Sequence, residues 1–127
     1  MRNVLTTLAI VGFVAAASVP AWAKTETVKG QLVDQSCYTM NKTANKGVDH
    51  KMPADTKDCA IACAKKGQPV ALLTADGKVY TIYGGLAANN NAKLIAHMGH
   101  TVEITGDTMD MGATMMITAD NVKMAAK

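Results

Sequence analysis

Apolar and polar positions alternate from Thr25 to Asp34, with Val28, Gly30 and Leu32 on one side and Lys29 and Gln31 on the other, which predicts a half-buried strand. Gly30 stands where such a strand bends. From Gln35 to Lys57 the alternation stops, and Asn, Lys, Thr, Gly, Asp and Pro53 surround scattered Cys37, Met40, His50 and Met52. A connection this long inside a small domain is usually functional or tied down. A short helix follows: Asp58 or Thr56 caps its start, Cys59–Ala64 forms its body, Lys65 and Lys66 suit its negative end, and Gly67 stops it ahead of Pro69.

Val70–Leu73 and Val79–Tyr83 are short β-rich runs around Ala75-Asp76-Gly77-Lys78, whose Asp-Gly pair predicts an antiparallel hairpin. After Gly84-Gly85, the run Asn89-Asn90-Asn91 predicts the cap of a second helix bearing Leu94, Ile95 and Met98 and ending at Gly99. Thr101–Thr105 alternates with Val102 and Ile104 inward, Gly106–Gly112 reads as a turn rich in Asp and Met, and Ala113–Thr118 with Val122 reads as a last strand before a fraying Ala/Lys tail. Five strands with a helix between the third and fourth is the order of the OB-fold, a five-stranded Greek-key barrel. The expected class is therefore mainly β with two short helices. The same elements would permit an α+β two-layer sheet, but short strands spaced closely by turns favour the barrel.

Composition adds a compartment and removes some partners. The chain has 127 residues, 49% of them hydrophobic, which is a globular composition. Its 13 basic against 10 acidic residues imply no strongly charged partner. Arg2, the apolar stretch Val4–Val19 and Ala21-Trp22-Ala23 have the layout of a cleaved signal peptide spanning residues 1–23. A membrane span needs about 20 apolar residues, and this run is shorter and broken by Ser18 and Pro20, so stable insertion is not expected. Residues 24–127 are then a single OB-like domain secreted to a bacterial periplasm. Cleavage would remove the lone Trp, Phe and Arg and leave Tyr38, Tyr80 and Tyr83 as the aromatics. Without guanidinium groups or large stacking rings, nucleic acid is not an expected partner.

Val33-Asp34-Gln35-Ser36-Cys37 at the end of the first strand, the run Cys59–Pro69 with its Cys-Ala-x-x-Cys-Ala-x-x-Gly-x-Pro pattern, the hairpin Leu72–Tyr80 and the strand Val102–Gly106 resemble a group of small secreted bacterial proteins of unassigned function. The resemblance covers most of the mature chain and implies an OB-like fold and a cysteine site, with no particular activity. Met109-Asp110-Met111 on such a frame is similar in outline to small periplasmic copper- and silver-binding chaperones, although the mature chain lacks the Trp that those proteins place over the metal.

Cys59 and Cys63 are spaced i, i+4, so a helix puts both sulfurs on one face, and barrel closure would bring Cys37 near them. In an oxidising compartment one reading is a disulfide from Cys37 to either helix cysteine, which leaves one thiol over. A second joins Cys37, Cys59 and Cys63, with His50 as a fourth ligand, into a site for copper or zinc. Cys59 near a helix start would have its thiolate favoured by the dipole. A third reading, thiol–disulfide exchange, fits less well, because Cys-x-x-x-Cys is not the Cys-x-x-Cys of thioredoxin-like catalysts. Met109 and Met111, with Met115, Met116, His97 and His100 nearby in sequence, form a copper-type ligand set, or else Met fills the core in place of absent Phe and Trp. His97 and His100 flank a helix stop, where capping the last carbonyls is their ordinary role. No phosphate loop, nucleophile elbow or His-Glu-x-x-His occurs, and Asp34, Asp49, Asp55, Asp58 and Asp76 occupy turn and cap positions. The chain thus reads as a binding module rather than an enzyme, taking a metal ion or, in a disulfide-stapled form, a periplasmic protein or small ligand.

Overall fold

A computed structural model describes residues 23–44 and 54–126. The predicted signal segment up to residue 22, and His50 and Met52, lie outside the described residues. Strand β1 (Lys24–Asp34) carries Val28 and Leu32 into the interior, and its other face becomes buried towards the end, at Gln31 and Val33. One edge of β1 pairs antiparallel with β2 (Val70–Leu73), the other with β4 (Thr101–Asp110). β2 pairs antiparallel with β3 (Val79–Tyr83), β3 runs parallel to β5 (Met115–Thr118), and β5 returns antiparallel to β4. The circuit β1-β2-β3-β5-β4-β1 is closed. It is the five-stranded mixed barrel of an OB-like fold, as the element order predicts.

Leu32, Leu72, Ile82, Val102, Ile104 and Ile117 pack inside the barrel, and Leu86, Leu94 and Met98 from the β3–β4 connection belong to the same core. Burying each such side chain contributes about 1.5–3 kcal/mol. Gly30 is less a bend than a close approach: a β-carbon there would stand 2.5 Å from the Leu73 carbonyl oxygen of the neighbouring strand.

Five expectations are corrected. Residues 35–40, expected as loop, form helix α1 (Gln35–Met40). Helix α2 (Ala54–Lys65) starts earlier than the Asp58 or Thr56 cap implied, so Cys59 lies in its second turn and not near its start. The expected helix after Asn91 is instead a single turn α3 (Ala88–Asn91), in which Asn89, Asn90 and Asn91 are left-handed with φ of 52°, 54° and 59°, followed by a 3₁₀ turn Ile95–His97. Asn tolerates that conformation better than most residues, which is why a run of three can persist. β4 continues through the expected turn to Asp110, because Lys24–Thr27 of β1 pair with Thr105–Thr108. Finally, Val122 belongs to a separate strand, β6 (Val122–Met124), which pairs with Val102–Ile104 of β4. The tail that was expected to fray is therefore held there.

Candidate metal centre

The site is built from the connection between β1 and β2. Asp34 pairs with Val70 across the ladder, so residues 35–69 leave the barrel and re-enter it at adjacent positions. Asp34 has extended backbone and ends β1; its Oδ1 accepts the Cys37 N–H at 2.8 Å, which makes it the N-cap of α1. The Gln35 N–H donates to the Pro69 carbonyl, and Tyr38 packs on Val33, Ala71 and Leu73. These contacts fix Cys37 at the third position of α1, directly over the end of the first strand.

α2 presents two adjacent i, i+4 pairs. Ala60 and Ala64 enter the core, and Cys59 and Cys63 face α1 beside them. Its C-terminus closes as a Schellman motif: Gly67, at φ 82°, donates to the Ala64 carbonyl and Gln68 donates to the Cys63 carbonyl. Gly67 is thus the stop that the sequence predicts. The buried Asn91 amide donates to the carbonyls of Ala64 and Gln68, both at 2.9 Å, and clamps the turn that carries Cys63.

The sulfurs of Cys37, Cys59 and Cys63 all lie within 4.8 Å of one another, with Cys37 and Cys59 4.0 Å apart. All three are free thiols, so the disulfide expected from Cys37 to the helix pair is not formed. Three thiolates around one ion at metal–sulfur distances of about 2.3 Å stand about 3.8–4.0 Å apart, so the triad needs only a small inward rotation of one side chain to close on an ion.

Burial pushes the Cys37 thiol up to about 12 from its ordinary value near 9, helped by the hydrogen bond and negative charge of Asp34 and by Cys59. Burial and the Asp34 charge also raise Cys63. Asp34 is 1% exposed, and its Oδ2 has no hydrogen-bond partner among the described residues. A carboxylate buried against thiols favours their protonated form, and a cation reverses that preference by drawing the protons off.

His50 lies outside the described residues. Met109 stands within β4 directly opposite Met116 of β5, and Met111 is exposed in the turn after β4, whereas the cysteines lie on α1 and α2. Met115 packs against the core, the filler role that the composition anticipates. The His97 ring meets Met124 Sδ through Nδ1 at 3.2 Å rather than capping a carbonyl among the described residues. Two contributors escape a reading of the sequence. Asp34 reads there as an ordinary cap or turn acid, and its one signal is its place three residues before Cys37. Asn91 reads as a helix N-cap, whereas it clamps the end of a different helix.

No family model matches the chain, and neither a curated protein nor a solved structure matches it.

Proposed function

We propose that this protein is a secreted periplasmic binding module that holds a soft metal ion, copper in preference to zinc, on Cys37, Cys59 and Cys63. The convergence of three free sulfurs within 4.8 Å carries the reading. Thiolate sulfur is the donor that soft and borderline ions favour, and three such donors exceed what a single disulfide would use. The raised thiols argue against thiol–disulfide catalysis, which works through a lowered thiol pKa. The signal-like leader supports the compartment, and among the described residues no helix is long and apolar enough to cross a membrane.

The 4.0 Å contact between Cys37 and Cys59 favours a second reading, in which oxidation joins that pair and the barrel serves as a stapled interaction domain for a protein or small ligand. One experiment separates the two. The reduced protein is titrated anaerobically with Cu(I) and with Zn(II), and intact mass is recorded under native conditions and after denaturing alkylation. One ion bound per chain, lost in each single Cys-to-Ser variant, supports the metal site. A mass two hydrogens light with one alkylatable thiol, and no ion bound, supports the staple.

A further inference from the structure

Beside the sulfur triad opens a cavity of about 270 Å³ whose described lining is Cys37, Met40, Asn41, Asp55, Thr56 and Cys59. Met40 ends α1 three residues after Cys37, so the two side chains share one helix face, with β-carbons about 5–6 Å apart. Met40 is 80% exposed, whereas Met98 is wholly buried in the core. So exposed a thioether contributes little to packing, which leaves its sulfur as the feature to be explained. Met40 also borders the neighbouring open groove lined by Gln35, Thr39 and Tyr83, and therefore stands on the ridge between that groove and the sulfur-floored cavity.

The charge of the site narrows the choice of a fourth ligand. Three thiolates beside the buried Asp34 already outweigh the charge of a single cation. A further anionic donor would add repulsion beside the buried Asp34, while a neutral thioether adds none. The oxygens of Asn41, Asp55 and Thr56 at the cavity wall are hard donors, suited to Mg²⁺ or Ca²⁺ rather than to an ion held by sulfur.

We infer that Met40 is the fourth, thioether ligand of the ion held by Cys37, Cys59 and Cys63, that it closes the cavity mouth, and that it selects a d¹⁰ monovalent ion, Cu(I) or Ag(I), over Zn(II). This rests on the metal-binding reading above and adds to it a ligand and a metal class. Thioether sulfur is a good donor to Cu(I) and Ag(I) and a poor one to Zn(II), so its participation would show as a preference between them.

The test uses reduced protein carrying ¹³C-methyl methionine, titrated anaerobically with Ag(I) as a diamagnetic probe and separately with Zn(II). At one equivalent of Ag(I) the Met40 methyl resonance shifts while that of Met98 stays in place, and Zn(II) leaves both unmoved. Met40→Leu, at an exposed position that leaves folding intact, weakens Ag(I) binding by about tenfold, the effect of losing one weak ligand, and leaves Zn(II) binding unchanged. If the thiols are consumed at one equivalent of Ag(I) and the Met40 methyl stays still, the Met40 assignment is overturned and the triad stands. If neither the thiols nor the methyl respond, both are overturned together.

Discussion

Asn91 joins the barrel to the helix that carries two of the three cysteines, and replacing it tests that architecture. Its amide makes two hydrogen bonds, a buried one to Ala64 O and a part-buried one to Gln68 O, and its backbone is left-handed at φ 59°. Asn91→Ala removes both bonds at about 1 kcal/mol each. It also places a β-carbon with no compensating polar group in the left-handed region, at about 1 kcal/mol more. The expected loss is about 3 kcal/mol, a large share of the roughly 5–15 kcal/mol that holds a domain of this size together. Asn91→Gly loses the hydrogen bonds but not the backbone compatibility, so it should fall short of the alanine variant by about 1 kcal/mol. Urea denaturation of the reduced protein, followed by far-ultraviolet circular dichroism, measures both. A loss below about 1 kcal/mol for the alanine variant, or an equal loss for glycine and alanine, would refute the reasoning. Cys63 lies in the clamped turn, so metal affinity should weaken in both variants even where they remain folded.

Gly30→Ala forces a β-carbon against the Leu73 carbonyl and should cost about 1–3 kcal/mol, read as a lower Tm. Asp34→Asn keeps an oxygen to cap α1 and removes the charge, so the Cys37 thiol should fall part of the way from about 12, burial remaining as the larger cause of its rise; the pH dependence of iodoacetamide alkylation, compared with and without Asp34→Asn in a Cys59→Ser/Cys63→Ser background, measures it. Because Cys37 is raised in the folded protein, its contribution to stability is complete below pH 9 and is lost as pH climbs from 9 to 12. Alkaline denaturation should therefore begin at lower pH in the native sequence than in Cys37→Ser. Metal binding displaces thiol protons, so apparent affinity for Zn(II) or Cu(I) should drop as pH falls, by about tenfold per unit for each proton released; competition titrations at two pH values test this.

The parts of this fold that can be read along the chain are those where local chemistry decides. The hairpin of β2 and β3 follows from two β-rich runs around Asp76-Gly77, and the α2 stop follows from Gly67. The parts that escape are decided at a distance. Asp107, Thr108, Met109 and Asp110 have turn-like composition, yet they are strand, because β5 offers a ladder partner to all four and β1 pairs Asp107 and Thr108 on the other edge. α1 has no apolar periodicity; a single carboxylate cap and the docking of Tyr38 hold it in place. The sulfur cluster divides in the same way. The spacing of Cys59 and Cys63 makes them neighbours on any helix, while Cys37 joins them because Asp34 turns the chain into α1 just as β1 ends.

Asp34 and Val70 sit opposite each other on the ladder, and everything proposed to bind metal lies between them in the chain. The barrel and its chemistry are thus separate parts, joined at two adjacent backbone positions. The excursion could be exchanged for another of similar end-to-end span with most of the interior packing untouched, and it could be grafted onto another barrel that offers the same pair of strand ends. Mutational change should accordingly follow two tempos, slow for the packed strands and fast for the cartridge they hold, with Ala60, Ala64, the docked Tyr38 and the Asn91 clamp among the places where one constrains the other.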